Sequence, residues 1–387
     1  MMTSASTRCR LGRRRGAMRW FCTALLVPLV WVVLSARLSV AQSNSASPDA
    51  TARIAISGST IALQASSTMN VTSEMGGAFM SPSKCDADGN LYIRKYAMDR
   101  PLLGPVVKID PEGKRVALFD PAAFSQLGLD RADAFSPASD GGMYQIAQSG
   151  VLQPRIYVLH FSSDGTPSSP TRLDADFEVY TFAAFASGNF LVSGVRRDVR
   201  NRNDRGRNFT AVFSADGREL AQLSFQKRQQ PAEGSTKSEA AGSKKPSQKE
   251  TTNDGDQPAP MLDLADAEVG SDGNLYVMRG SSPALVYVIA PSGKIMQTLK
   301  VAAPLAGAVP NGFHVSGNRL AISFWNEESQ SQTVAVADAQ TGRKIAGYAD
   351  STGVGTSFAC YSANEGVFTF VKLAEGNKLE VIRAEAQ

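Results

Sequence analysis

The sequence predicts an all-β fold, a six-bladed β-propeller with four antiparallel strands per blade. Two series of glycine turns and one interrupted period predict it. The first series starts from CDADGNLYIR (85–94) and GSDGNLYVMR (270–279), which share Asp-Gly-Asn-Leu-Tyr followed by a β-branched residue. Weaker copies follow the same plan at SDGGMY (139–144), SGNFLV (187–192) and SGNRLAI (316–322), each a glycine turn before an apolar, strand-like run. The marker residues Gly89, Gly141, Gly188, Gly273 and Gly317 are separated by 52, 47, 85 and 44 residues.

A second series runs in step with the first. IDPEGKRVALF (109–119), FSSDGTPSS (161–169), FSADGRELAQL (213–223), IAPSGKIMQTL (289–299) and ADAQTGRKIAGY (337–348) each end a strand-like run in a turn, at Gly113, Gly165, Gly217, Gly293 and Gly342. These follow their first-series partners by 24, 24, 29, 20 and 25 residues. Every unit therefore carries two hairpins, and four short strands in about 45 to 50 residues make one propeller blade.

The one long gap has its own cause. Gln226 to Pro260, QKRQQPAEGSTKSEAAGSKKPSQKETTNDGDQPAP, is 35 residues with no apolar side chain larger than Ala or Pro. Such a stretch cannot bury enough surface to offset its ordering entropy, so 226–260 is expected to be a disordered insertion after blade three. Without it the gap shortens to 50 residues. The last unit, FACYSANEGVFTFVKLAEGNKLEVIRAEAQ (358–387), offers three strands around Gly366 and Gly376. RIAISGSTIALQ (53–64) belongs to no other blade and is expected to supply the fourth strand, closing the ring and removing exposed sheet edges. A second hairpin within 42–84 would make seven blades instead of six.

The Asp-Gly-Asn core invites a calcium reading, since Asp86, Asp88 and Asn90 alternate around Gly89. A helix-loop-helix calcium loop needs glycine sixth and glutamate twelfth; counted from Asp86, Gly89 is fourth and Ala97 twelfth. A sialidase-type Asp box would need aspartate where Ala87 stands. The residues instead predict a primed two-residue hairpin turn leading into a Leu-Tyr-Ile or Leu-Tyr-Val strand.

At these residues the chain resembles six-bladed propellers of the NHL-repeat type. CDADGNLYIRKY through VVKIDPEGKRVALF (85–119) and VGSDGNLYVMRG through VYVIAPSGKIMQTL (269–299) match that unit well, and the other four units are degenerate. The resemblance covers most of 70–387, is architectural, and says little about ligand. No Trp-Asp dipeptide occurs, and Trp325 is the only tryptophan beyond residue 41, which disfavours the Trp-Asp class.

Arg8, Arg10, Arg13, Arg14, Arg15 and Arg19 precede the apolar run WFCTALLVPLVWVVLSA (20–36), and Ser39-Val40-Ala41 supplies small residues for cleavage. Residues 1–41 thus read as a signal peptide and the product as exported, periplasmic or extracellular, with no membrane attachment after cleavage near Ala41. The competing reading is an uncleaved anchor; 17 residues including Pro28 stand at the short edge of a span of about 20. Residues 42–69 form a lead carrying the ring-closing strand, and 70–387 the propeller. The leader holds seven of the 40 basic residues and none of the 36 acidic ones, leaving 33 against 36, a net of −3. The remaining charge gives no reason to expect nucleic acid as partner.

Only Cys85 and Cys360 remain outside the leader. In a closed ring their blades are neighbours, so a disulfide is expected in an oxidising compartment, the other reading being two buried thiols. Of the two histidines, His160 in RIYVLHF reads as a packed or rim side chain and His314 in NGFHVSGN as an inner-strand residue near the channel. No nucleophile elbow, HExxH, phosphate loop or CxxC occurs beyond the leader.

The function expected is therefore non-catalytic, a binding or scaffolding module for a protein or polysaccharide, with no cofactor. The alternative is a calcium-dependent lactone or ester hydrolase. Propeller lactonases hold Ca²⁺ at the channel mouth with carboxylates and asparagines from inner-strand starts, and here Glu74, Asp133, Glu178, Asp266 and Asn311 stand at such places. Their register is uneven, since they precede their glycines by 15, 8, 10, 7 and 6 positions. RRDVRNRNDRGRN (196–208) offers Arg196, Arg197, Arg200, Arg202, Arg205 and Arg207 as an anion-binding loop, with no interleaved aromatic; a solvated loop is the plain alternative.

Overall fold

The computed structural model describes residues 60–150, 154–174, 177–197, 206–223, 262, 264, 267–350 and 357–387, all within the compact unit Ile56–Gln387. The leader 1–41, the start of the 42–69 lead and the insertion 226–260 lie outside the described residues. β1 (Ile61–Asn70) and a short helix, α1 (Thr72–Met75), come first. Blade one is β2 (Ala78–Cys85), β3 (Leu91–Tyr96), β4 (Val106–Ile109) and β5 (Arg115–Phe119). Blade two is β6 (Arg131–Pro137), β7 (Met143–Ser149), β8 (Arg155–Phe161) and β9 (Thr171–Arg172). Blade three is β10 (Glu178–Ala184), β11 (Phe190–Arg196), β12 (Arg207–Phe213) and β13 (Glu219–Gln222). Blade four is β14 (Glu268–Val269), β15 (Leu275–Arg279), β16 (Ala284–Ile289) and β17 (Ile295–Val301).

The rest departs from the six separate sheets expected. β18 (Val309–Ser316), β19 (Arg319–Asn326), β20 (Ser331–Asp338), β21 (Lys344–Asp350), β22 (Ser357–Ser362), β23 (Val367–Ala374) and β24 (Lys378–Ala386) join β1 in one eight-stranded sheet. Its order is β18-β19-β20-β21-β1-β24-β23-β22. The cause is the length of β1. Its ten residues pair antiparallel with β24 from Leu63 to Asn70, and its first residues run parallel to β21, Ile61 opposite Tyr348 and Leu63 opposite Asp350. A register shift between Ala65 and Ser67 bends the strand between these partners.

Middle strands are apolar almost throughout because both their faces are covered, as in β16 and β19, whereas outer strands such as β17 expose most of their residues, Met296, Gln297, Thr298 and Lys300 among them. Among the described residues, six apolar clusters fill the junctions. Tyr92, Phe119 and Phe161 join blades one and two; Ile146, Phe182 and Phe209 join two and three; Leu191, Val212 and Leu275 join three and four. Val286, Phe313 and Ile322 join blade four to β18–β21, Leu63, Val334 and Phe368 join the two halves of the large sheet, and Ile93, Cys360 and Val371 join its last half to blade one.

The second glycine series has a packing role besides turning the chain. At Gly217 an added Cβ would collide with the carbonyl of Arg172 on β9, the outer strand of the preceding blade. At Gly113 of blade one the neighbour is Met69 of β1, Sδ 3.3 Å from such a Cβ, so β1 takes the outer-strand place beside blade one. The first series differs from expectation in turn type. Gly89 N donates to Asp86 O (3.1 Å), Asp86 N donates to Asn90 O (3.1 Å), and only the glycine has positive φ (79°). This is a longer turn closed by a left-handed glycine, which the Asp-Gly pair serves as well as it serves a primed turn. Only at Gly317 does a two-residue turn occur, Ser316 pairing directly with Arg319.

Candidate functional site

The inner strands present free backbone edges toward one another, and polar side chains from neighbouring blades satisfy them. Ser136 Oγ on β6 accepts from Ala184 N on β10 (3.2 Å), and Glu268 Oε2 on β14 accepts from Val315 N on β18 (2.7 Å). His314 Nδ1 on β18 accepts from Tyr361 N on β22 (3.2 Å). Donor and acceptor lie 47 or 48 residues apart in every case, one blade of chain. Lys84 on β2 instead reaches the backbone before β14, its Nζ donating to Ala267 O (3.2 Å) while only 3% exposed.

Because His314 Nδ1 accepts from a backbone N–H, the ring proton sits on Nε2, 3.8 Å from Glu268 Oε2. Burial pulls its pKa down to about 4, with the Asp86 carboxylate acting the other way. The imidazole is thus neutral at pH 7 and serves as a hydrogen-bonding wedge.

The repeated Asp-Gly-Asn-Leu-Tyr motif builds the turn-bearing edge. Asp86 Oδ1 accepts from the backbone N–H groups of Asp88 and Asn90 (3.1 and 3.0 Å), and Oδ2 from Asn90 Nδ2 (2.9 Å) and Tyr92 OH (3.1 Å). Lys108 Nζ stands 3.2 Å from Asp86 Oδ2, a buried ion pair within blade one, and donates to Gly141 O (2.9 Å) in blade two, tying the two blades together. Burial, with Asp86 beside it, pushes the Tyr92 phenol far above its usual range. In the second copy Asp272, immediately before the glycine, takes over, its Oδ2 accepting from Asn274 Nδ2 (2.8 Å) and Tyr276 OH (3.1 Å). The position equivalent to Asp86 is Gly270, where a Cβ would strike the Tyr276 ring. Burial and then Asp272 push the Tyr276 phenol up to about 12. These aspartates hold turns and tyrosines.

Of the expected calcium ligands, three have described side chains, and each of these is engaged by another group. Glu74, in α1, accepts from Arg115 N (3.2 Å) on the outer strand β5, away from an inner-strand mouth. Glu178 Oε2 pairs with Arg197 (3.3 Å), and Asn311 Oδ1 accepts from Ser323 Oγ (2.7 Å). Asp133 lies within β6, and Asp266 lies outside the described residues. Among the described residues no three His, Cys, Asp or Glu side chains converge as a metal shell. Cys85 and Cys360 form the expected disulfide, joining β2 to β22.

Of the six arginines, Arg196 pairs with Glu219 (2.7 Å) and lies 4.0 Å from the Phe209 ring centroid, and Arg197 pairs with Glu178. An aromatic does therefore meet the arginines, from the paired strand β12, where linear reading of the loop misses it. Arg207 begins β12 and is exposed; Arg200, Arg202 and Arg205 lie outside the described residues. The end of the blades that carries Arg196 also carries large exposed apolar side chains: Tyr96, Met98 (89% exposed) and Leu102 (55%) at the β3–β4 connection, and Tyr180 and Val309 at inner-strand starts. No sequence period marks them, since they stand at strand ends or in the β3–β4 connection. No helix among the described residues is long and apolar enough to cross a membrane.

No family model and no curated protein matches the sequence. Among solved structures, a protein of unknown function from Bacteroides caccae is 11% identical over 69% of this chain and 80% of its own, with a TM-score of 0.39. The Dos1 propeller is 11% identical over 80% and 78% (TM-score 0.38), and the Pan2 WD40 domain of Neurospora crassa 10% identical over 85% and 97% (TM-score 0.41). By its own strand order and blade-to-blade packing the chain is an all-β propeller.

Proposed function

We propose that the chain is an exported, six-bladed, NHL-like β-propeller that binds or scaffolds a protein or polysaccharide partner without catalysis. The six apolar junctions support reading the eight-stranded sheet as two blades joined edge to edge, with β1 as outer strand of the last. The leader-like N-terminus and the Cys85–Cys360 bond support export.

The observation that carries the binding role is the exposed apolar surface at the end bearing the β3–β4 and β11–β12 connections, Met98 and Leu102 foremost. Large apolar side chains held out by a rigid scaffold mark contact surfaces, whereas the polar groups between inner strands are already engaged with backbone. The test is crosslinking and glycan-array binding with wild type and a Met98→Ser/Leu102→Ser double variant. Partner retention should fall at least tenfold with the melting temperature unchanged; equal retention would reject this surface. Calcium titration into chelator-treated protein should give neither heat nor a stability shift. A site lost on Asp266→Ala would instead favour the hydrolase.

A further inference from the structure

The apolar cluster between blades two and three comes to the surface where β6 and β10 begin, and a small open cleft lies there. Ile146 and Ile156 of blade two and Val179 of blade three form its buried floor; Arg131, Gln148 and Tyr180 (40% exposed) form its rim. Arg131 reaches across the junction, its Nη2 donating to Val179 O (3.0 Å), which fixes the guanidinium beside the opening. The neighbouring carboxylate, Asp130, is taken up by a backbone N–H, its Oδ2 accepting from Gly150 N (2.5 Å).

Blade three adds positive charge beside the same cluster. Arg196 lies 4.0 Å from the ring centroid of Phe209, a member of that cluster, and is paired with Glu219; Arg197 is paired with Glu178, the residue before Val179. Arg207 stands directly opposite Arg196 on β12, is exposed, and has no carboxylate partner among the described residues. Like charges directly opposite on paired strands are destabilising, so these side chains are one anion short. Taken whole, the segment 196–208 sets six arginines against two aspartates, and Glu178 and Glu219 still leave an excess of two positive charges.

An aliphatic floor takes a hydrocarbon side chain, which a sugar does not offer, and guanidinium groups short of an anion take carboxylates in bidentate geometry. We propose that the cleft between blades two and three docks an acidic protein segment, with one apolar side chain entering over Ile156 and Val179 and a flanking carboxylate meeting Arg207. The assignment rests on that end of the blades being the contact surface, and adds the chemistry of the partner.

The test is fluorescence anisotropy with the full-length protein and three labelled peptides: a leucine flanked by glutamates, a glycine flanked by glutamates, and a leucine flanked by lysines. The leucine–glutamate peptide is expected to bind about tenfold more tightly than the other two and to weaken as salt rises. Arg207→Glu should weaken it by about tenfold with the melting temperature unchanged, whereas Lys294→Glu, the same charge change at the turn-bearing end, should leave it unchanged. Equal binding of the leucine and glycine peptides would overturn the assignment, and so would tighter binding of chondroitin sulfate, which would make the ligand an acidic polysaccharide. Loss of partner retention in the Met98→Ser/Leu102→Ser variant, alongside equal peptide binding by wild type and Arg207→Glu, would overturn the cleft alone. Peptide binding lost in Arg207→Glu while the Met98→Ser/Leu102→Ser variant keeps its partner would uphold the cleft and confine the contact to blades two and three.

Discussion

His314 gives the propeller a pH dependence with a definite sign. Its pKa is about 4 in the folded chain against 6.5 for a free imidazole, so between these values the unfolded chain binds the extra proton. Stability from this group is complete above pH 6.5, declines as pH falls toward 4, and changes no further below. The range corresponds to roughly 3 kcal/mol, read as denaturation midpoints against pH. His314→Gln keeps an acceptor for Tyr361 N and should flatten that limb. The buried Lys108–Asp86 pair behaves differently. Lys108→Met leaves Asp86 unpaired and should cost about 3 to 5 kcal/mol in urea melts, with much of that recovered when Asp86→Asn is added. Neither effect is visible in linear sequence, because each partner lies across a turn or one blade away.

Glycines that look alike in sequence should respond differently at the scale of the hairpin. Gly273 (φ 77°) has nothing within 4 Å of a would-be Cβ, so Gly273→Ala should cost only the left-handed backbone strain, about 1 to 2 kcal/mol. Gly217→Ala adds a collision with Arg172 O and should cost clearly more, measured as the difference between denaturation midpoints. The period of these turns was legible because a glycine at fixed φ is required wherever a hairpin closes against its neighbour. The turn type was not, since Asp-Gly suits both short and longer hairpin turns. Glu74 stands just before β2 as expected, but its carboxylate meets Arg115 on the outer strand β5, and sequence offset says nothing of which strand it meets.

Across the whole molecule, Cys85–Cys360 and β1 fasten the same junction, between the end of the eight-stranded sheet and blade one. The pairing was readable because only two cysteines lie beyond residue 41 and a ring makes the first and last blades neighbours; the joining of β18–β21 to β22–β24 through β1 was not, because nothing in 61–70 announces a parallel partner. Loop entropy for 275 residues sets a ceiling of roughly 5 to 6 kcal/mol on the bond. Reduction or a Cys85→Ser/Cys360→Ser variant should lower the melting temperature while β1 keeps the fold intact, checked by circular dichroism before and after reductant.

The pairing of β1 also sets an order of events. Ile61 waits for Tyr348 and Leu63 for Ala386, so this strand finds neither partner until residues some 300 further on have been synthesised. Until then it must be kept from pairing with other chains. Association between residues some 300 apart is entropically slow, and assembly of this protein is governed by its longest wait.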